Sequence, residues 1–371
     1  MTPPDRRVIL HTEASLGLGG QEIRILGEVR WLGDHGWDAL VACQPESRLS
    51  GEARAASLSV VALPMRGAWD LAALLRLRGL IRQRRVGLVH THSSVDSWLA
   101  GLAAKSLGLP VVRSRHVSIP ILRRRALVYH LADRIITSGA GVKAVVAGAG
   151  IPERRIVSIP AGVDTGRFHP GVSGRAVRRE LGLGADEPVV GLVANVRGSK
   201  GHNVFLEAAR EIVAAVPAAR FLIVGEGVGE DDVRRRVEAL GLSRHVVMTG
   251  FRRDIPEVMA ALDVLTLPSI RSEAISQVVP QALAVGTPVV ASTVGGSPEI
   301  VRDGETGRLV PPGDARALAR AILKMLADPA AARAMARAGG DMVRARLTVD
   351  ASMQATTREY EALLARAMIG Y

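Results

Sequence analysis

The sequence predicts an α/β protein built from two doubly wound parallel sheets, and three observations carry that prediction. Short apolar runs alternate with amphipathic helical segments as far as about Ser292, the pattern of βαβ units rather than of hairpins. A glycine turn at residues 17–20 directly follows the first run, as it does where a nucleotide-binding sheet begins. The chain has 371 residues, 48% of them hydrophobic, which suits two domains that each have their own core.

In the first domain, residues 1–165, the opening strand is residues 8–10 and its helix runs from Gln21 to about Leu32. DALVAC is the next strand, LAALLRLRGLIRQ a helix, GLVHTH a strand, SWLAGLAAKSLG a helix, and PVVRSRH and RIITS two further strands. Residues 159–175 are rich in Gly and Pro and lack a hydrophobic period, so they read as the connector. The second domain, residues 175–349, repeats the plan with the strands PVVGLVANV, FLIVG, VVMTG, VLTLP and PVVAS and the helical segments FLEAAREIVAAV and IPEVMAALD. Beyond Pro311 the chain reads as Ala- and Arg-rich helix broken at Gly339 and Gly340, so a last helix at about 350–371 is expected to turn back onto the first domain. The two domains are expected to face each other across a cleft, a preferred place for a ligand.

Cys43 stands alone, which excludes an internal disulfide framework and fits a reducing compartment. The first residues lack the long apolar stretch of a signal peptide, and no run of about 18 apolar residues follows. A cytoplasmic protein, peripheral on the inner face of the membrane, is the expectation. The formal net charge of +12 is uneven: residues 1–170 hold 23 Lys+Arg against 13 Asp+Glu, and residues 171–371 hold 25 against 23. Residues 76–125 alone carry 11 basic residues and one acid, Asp96, so the basic character belongs to one region. Arg76–Arg85 and Arg113–Arg125 alternate cations with Leu, Ile and Val, a composition suited to anionic lipid headgroups. An ordinary solvated helix face is the plain alternative. Aromatic content of 3%, with no Phe, Tyr or Trp among these arginines, argues against nucleic acid.

The segment from Pro268 to Asp314 is the richest in chemistry. Val264–Leu267 reads as a buried strand, and Glu273 lies on the loop at its carboxyl end, where open parallel sheets place ligands. Ser276, followed by Gln277, reads as the cap of a helix carrying Gln281, whose free N–H groups and positive dipole end favour an anion. Glu273 and Gln281 would stand roughly 12 Å apart if all of it were helical, and so suit different parts of an extended ligand. In LGLGGQE, Gly19 and Gly20 offer backbone N–H groups without a Cβ obstacle, although the spacing departs from Gly-x-Gly-x-x-Gly. Arg197 and Lys200 follow the first strand of the second domain and can neutralise a diphosphate, one as a fork of donors and the other as a point charge. His116 ends PVVRSRH on the predicted ligand side, and His90, His92 and His202 have comparable but less telling positions. The sequence has no Asp-x-Asp pair, no His-Glu-x-x-His and no Cys cluster, so no metal site is expected.

Taken together these segments resemble the retaining family-4 glycosyltransferases, whose GT-B architecture is two facing Rossmann-like domains. GLGGQE is similar to that family's N-terminal glycine loop, VRSRH to the strand bearing its active-site histidine, and IPAGVDTGRF to its interdomain segment. VRGSKGH resembles the phosphate-binding loop, Glu273 to Gln281 the Glu-x7-Glu motif, and GTPVVASTVGGSPEIVRDGETGRLV the segment after it. The resemblance implies that Gly19 and Gly20 approach the donor phosphate, Arg197 and Lys200 bind the diphosphate, Glu273 orients the sugar, Gln281 takes the ribose position, and His116 contacts the sugar or leaving phosphate. It implies a UDP- or GDP-sugar donor, a glycan or lipid-linked acceptor in cell-surface polysaccharide or lipopolysaccharide synthesis, and no cofactor or metal. Departures are Asn195 where many members have Arg, Ala274 where Gly is usual, and Gln281 for the second Glu, which keeps an acceptor oxygen but no charge. Two other classes stay open: a sugar-nucleotide epimerase, which acts without an acceptor, and a basic nucleic-acid-binding protein, which predicts steeply salt-dependent affinity.

Overall fold

The structure, a computed structural model, describes residues 8–271 and 274–369. The chain divides into two units: one runs up to Gly162 and resumes at Val349, and the other is Val163–Thr348.

The first unit is built on a seven-stranded parallel sheet of β1 (Val8–Glu13), β2 (Asp38–Cys43), β3 (Val60–Ala62), β4 (Leu88–Thr91), β5 (Val111–Arg115), β6 (Arg134–Thr137) and β7 (Ile156–Ser158), in the order β3-β2-β1-β4-β5-β6-β7. Its direction of growth reverses between β1 and β4, and such a switch point opens a crevice at the carboxyl ends of the strands. Side chains alternate across the sheet. Leu10, Val89, Val111 and Ile135 pack under the helices Leu71–Gln83 and Ser94–Lys105. Ile9, Leu88, Val112 and Ile136 face the other way, where Leu32, Trp37 and Tyr360 cover them. Tyr360 belongs to the C-terminal helix Val349–Ile369, is fully buried, and meets Trp37 edge-on at 6.2 Å.

β1 is twice as long as its apolar run suggests. His11, Thr12 and Glu13 interrupt the hydrophobic signal yet keep parallel pairing, opposite Val41, Ala42 and Cys43 of β2. The strands β3 and β7 escaped the sequence reading for a different reason: each is only three residues long, too short for a period to register, and lies partly buried at an edge of the sheet.

The second unit has six parallel strands, β8 (Val189–Val193), β9 (Arg220–Val224), β10 (Val246–Gly250), β11 (Val264–Leu267), β12 (Val289–Ser292) and β13 (Arg308–Val310), ordered β10-β9-β8-β11-β12-β13. β13 is another short edge strand absent from the sequence reading. Here the switch point lies between β8 and β11, which pair from Val264↔Val190 to Thr266↔Leu192. Apolar layers cover both faces, one around Leu265, Leu283 and Val289 and the other around Val190, Phe205 and Phe221.

Gly339 and Gly340 do not break the C-terminal helical region. They sit within the helix Pro329–Arg346, whose limits are set by the Asp328 cap and Leu347. A Cβ on Gly339 would lie 2.8 Å from Leu283 Cδ2, and one on Gly340 2.6 Å from the Leu283 carbonyl oxygen. The paired glycines let this helix approach the helix Val278–Val285 closely, a gain that offsets their poor helix propensity of about 1 kcal/mol each.

Candidate active site

In the second unit, the loop after β8 and the loop after β11 meet at the switch point. Arg197 is exposed and precedes a single 3-10 turn, Gly198–Lys200, in which the Lys200 N–H donates to the Arg197 carbonyl at 3.0 Å. The turn ends at Gly201, whose φ of +77° is left-handed, and the helix His202–Ala215 starts immediately after it. A bond from Ile270 N–H to the Ser199 carbonyl, 2.9 Å long, ties the β8 loop to the β11 loop. The Ser292 hydroxyl donates to the Ser269 carbonyl at 2.5 Å, which fastens the β11 loop to the end of β12. Arg197 and Lys200 are thereby held on a fixed backbone at the carboxyl edge of the sheet.

Glu273 lies outside the described residues. Ser276 does not cap a helix: the next helix begins at Val278, with Gln277 as its N-cap residue and no side-chain capping bond. The stretch before it is held by packing instead, because Ile275 is buried and lies against Gly296, where a Cβ would fall 3.1 Å from the Ile275 nitrogen. Gln281 is half-buried on the second turn of that helix, so the helical spacing assumed between Glu273 and Gln281 does not apply. His202 is buried at a helix start, and loss of solvent lowers its pKa to about 4.

In the first unit the glycine turn is closed by a carboxylate. The Gly19 N–H donates to Glu22 Oε2 at 2.7 Å, and the Ser15 hydroxyl donates to Glu22 Oε1 at 2.6 Å. Glu22 caps its own helix in this way, so the Gly19 donor is already used. Gly20 is exposed, with open space where a Cβ would stand.

Beside the turn, at the end of β1, Glu13 is fully buried and accepts from Ser15 N–H at 2.8 Å and from the Gln21 amide. Burial, followed by the neighbouring Asp96, raises its pKa to about 7. Asp96 accepts from the Thr12 hydroxyl at 2.9 Å and from the His92 N–H at 2.8 Å, which fixes the backbone at the end of β4. Burial raises its pKa too.

Four histidines line the sheet face that also carries Ile9, Leu88 and Val112. His11 on β1 stands opposite His90 on β4 in register, His92 lies two residues on, and His116 follows β5. His116 Nε2 and His92 Nδ1 are 3.3 Å apart, and His92 Nε2 and His11 Nδ1 are 3.0 Å apart. His90 is anchored separately, by the Tyr360 hydroxyl at 2.6 Å on Nδ1 and the Ser114 hydroxyl at 2.8 Å on Nε2. Burial is the first cause that holds all four imidazoles below the ordinary histidine pKa, with His11 at about 4. Among the described residues, His11, Glu28, His90 and His92 each bring one nitrogen or oxygen within 4.8 Å of the others, a donor set of the kind that holds divalent cations. With both His90 nitrogens engaged by hydroxyls, hydrogen bonding accounts for its placement. The sequence reading singled out His116 and missed His11, Glu28 and Tyr360. The available signal was the period of two: His90 and His92, like Ser114 and His116, must share one sheet face.

The basic region is less uniform than its composition suggests. Arg113 is buried rather than superficial, 2% exposed, with its guanidinium 4.0 Å above the Tyr129 ring. It alternates to the inner face of β5, and burial lowers its pKa. Lys105 is paired with Asp133, and Arg78 donates to Ser106. Arg76, Arg82, Arg84, Arg85 and Arg125 are exposed. Just ahead of them in the chain stand exposed apolar side chains that the sequence reading passed over: Trp69 (97%), Leu71 (66%) and Leu75 (57%). Among the described residues no helix is long and apolar enough to cross a membrane.

Two parallel-sheet units with polar loops at both switch points define a GT-B fold. In keeping with this, the chain superposes on crystalline Anabaena Alr3699/HepE in complex with UDP with a TM-score of 0.86, at 22% identity over 95% of this chain and 99% of that one. The model of glycosyl transferases group 1 matches residues 175–342, and that of Glycosyltransferase Family 4 matches residues 18–167. The chain is 38% identical over 283 residues to the GDP-mannose-dependent alpha-(1-6)-phosphatidylinositol monomannoside mannosyltransferase of Mycolicibacterium smegmatis, covering 71% of this chain and 73% of that protein. It is 32% identical over 279 residues to the D-inositol 3-phosphate glycosyltransferase of Segniliparus rotundus, covering 69% of this chain but only 62% of that protein. The chain belongs to the group 1, family-4 glycosyltransferases, and it is an enzyme of that class.

Proposed function

We propose that this enzyme is a retaining, metal-independent glycosyltransferase that moves a sugar from a UDP- or GDP-sugar to a lipid-linked or glycan acceptor during cell-surface polysaccharide or lipopolysaccharide assembly, at the inner face of the membrane. The observation that carries the donor half is the joined pair of loops at the second switch point, which puts Arg197 and Lys200 beside the segment leading to Glu273. The two cations stabilise the diphosphate as the bond from the anomeric carbon to its oxygen breaks and the bond to the acceptor oxygen forms on the same face. The departing phosphate oxygen takes the acceptor proton, so no protein nucleophile is needed. Glu273 orients the sugar, Ser276, Gln277 and Gln281 serve the nucleotide end, and Gly20 and His116 offer hydrogen-bond donors to phosphate or sugar oxygens. Metal independence is supported by the absence of an Asp-x-Asp pair in the sequence together with the two cations assigned to the diphosphate.

The nucleotide base is left between two precedents, since HepE was crystallised with UDP and the mycolicibacterial relative is named as GDP-mannose-dependent. That relative's name also includes phosphatidylinositol monomannoside, a glycolipid, which favours the lipid-linked version here. The solvent face of the helix Leu71–Gln83 supports it: Leu71, Leu75 and Arg82 recur at helical spacing behind the exposed Trp69, as in a helix lying on anionic headgroups.

A thermal-shift panel of UDP-, GDP- and ADP-sugars tests the donor, because a ligand at ~100 times its Kd adds about 2.7 kcal/mol of stability. Lys200→Ala and Glu273→Ala are each expected to lower transfer by at least ~100-fold. Near wild-type turnover in both, or no response to any sugar nucleotide, would refute the assignment. For the membrane, sedimentation with phosphatidylglycerol vesicles at low salt is expected to retain the wild type and to lose Trp69→Ser/Leu71→Ser. Equal recovery on neutral and anionic vesicles would count against that part.

A further inference from the structure

The hydrogen-bonded histidines end at a buried carboxylate. His11 Nδ1 is 3.0 Å from His92 Nε2 and 3.8 Å from Glu28 Oε2, while Arg24 Nε holds Glu28 Oε1 at 2.6 Å. His11 Nε2 and Glu28 Oε2 have no hydrogen-bond partner and are buried. The rings of His11 and His92 are stacked at 5.3 Å, and those of His92 and His116 at 5.6 Å, so the three imidazoles form one file across the sheet face from β1 to the end of β5.

A file of neutral imidazoles has two polarities. In one, each ring donates from Nδ1 towards His116; in the other, each donates from Nε2 away from it. The second polarity turns the His11 Nδ1 lone pair towards the Glu28 carboxylate and leaves His11 Nε2–H as a buried orphan donor. Orphan N–H groups are rarer in folded proteins than under-used acceptors, and a lone pair facing a carboxylate is repelled. The first polarity places the His11 Nδ1–H between His92 Nε2 and Glu28 Oε2 and leaves only a bare acceptor at Nε2. Among the described residues, the other charged and titratable groups around the file include Arg24 from the first helix, Arg115 from β5, Tyr360 from the C-terminal helix, His90, and Asp96, which accepts from the His92 N–H. Burial first, and after it the two arginines, disfavour a protonated imidazole and outweigh the opposing pull of Glu28 on His11, which keeps the file neutral.

We propose that Glu28, His11 and His92 are positioning residues that fix the tautomer of His116, so that His116 Nε2 accepts from His92 and His116 Nδ1–H is the donor presented to a sugar hydroxyl or phosphate oxygen. What His116 touches rests on the transferase function proposed above; the direction of the file does not. Hydrogen-bond partners that fix the tautomer of a metal-bound histidine are worth ~10–100-fold, and an effect of that order is measurable here.

The test is long-range 1H–15N correlation NMR on the full chain labelled at histidine, without ligand, combined with steady-state kinetics. The expected result is an Nδ1–H tautomer for His11, His92 and His116 in the wild type. Glu28→Gln removes the charge with little change of shape, and His92→Phe interrupts the file while keeping a ring. Each is expected to give His116 a mixed or Nε2–H tautomer and to lower kcat by ~10-fold with the donor KM held within ~2-fold. A wild-type His116 in the Nε2–H form, or an Nδ1–H form that persists in both variants, overturns the proposal. So does a stoichiometric metal ion found by elemental analysis of the purified protein, because coordination would then replace the ring-to-ring bonds. The expected tautomers in a chain that transfers no sugar would sink the functional reading and leave the file standing.

Discussion

Gly201→Ala asks whether the β8 and β11 loops form one donor-binding surface. Gly201 has a left-handed φ of +77°, and a Cβ there would lie 2.8 Å from the Pro268 carbonyl carbon and closer still to its oxygen. The backbone conformation alone costs an alanine about 1–2 kcal/mol. The overlap involves main chain on both sides, so a loop must move, at a further cost of about 1–3 kcal/mol. Gly241→Ala separates the two terms, since Gly241 has φ +68° and open space where a Cβ would stand; it should show only the first, about 1–2 kcal/mol. Denaturant midpoints at equal m-value give the difference, expected at about 1–3 kcal/mol. Moving the loop by ~1 Å displaces Arg197 and Lys200, which should lower sugar transfer by ~100-fold. Transfer by Gly241→Ala should match the wild type. Equal midpoints for the two variants would refute the packing argument, and near wild-type transfer by a destabilised Gly201→Ala would refute the placement of the cations.

Two further outcomes follow from packing and burial. Gly340→Ala should destabilise the second unit by about 1–3 kcal/mol through overlap with Leu283, net of the helix propensity that alanine gains, and a thermal midpoint at or above wild type would show that the two helices have room. Acid stability should be controlled by buried histidines. His11 and His202 are held at about 4 against an ordinary 6.5, so the unfolded chain takes up protons first, and the stability they contribute is full above pH 6.5 and lost as pH falls towards 4. Glu13 acts in the opposite sense, because its raised pKa of about 7 means stability present below 4.5 and lost as pH rises through 7. His90, His92 and His116 are lowered as well, so the histidines outnumber Glu13 and Asp96, and the melting temperature should climb from pH 5 to pH 6.5. Glu13→Gln should stabilise the protein at pH 8 and change it little at pH 5; a melting temperature that falls between pH 5 and 6.5 would contradict the burial of the file.

The parallel strands with long apolar runs were legible because burial on both faces writes itself as a continuous run. DALVAC and LAALLRLRGLIRQ coincide with β2 and with the helix Leu71–Gln83. What was hidden follows from two physical causes. Polar residues inside a strand, such as His11 and Glu13, erase the hydrophobic signal although the ladder continues through them. Glycines were misread at Gly339 and Gly340, because a sequence records only their low helix propensity, whereas Leu283, which packs against them, lies more than 50 residues away. For the candidate site, motif order points to Arg197, Lys200 and His116, while the neighbours of His116 depend on which residues share a sheet face. Arg113 shows the limit of composition: it counted towards a basic surface, and strand alternation put it inside.

The same geometry divides the charge between the two units. In the first unit the charged side chains hydrogen-bonded into the glycine turn are carboxylates: Glu22 accepts from the Gly19 N–H, and the buried Glu13 accepts from the Ser15 N–H and the Gln21 amide. A phosphate charge brought within ~4 Å of an ionised Glu22 would be opposed by about 4 kcal/mol at an effective dielectric of ~20. The second switch point instead carries Arg197 and Lys200 on a braced turn. A glycine turn after a first strand is therefore a weak guide to phosphate, since its donors can be consumed by the chain itself. Under the function proposed above, the diphosphate is expected at Arg197 and Lys200 of the second unit, and the hydroxyl-bearing acceptor, which carboxylates can hold without repulsion, at the first.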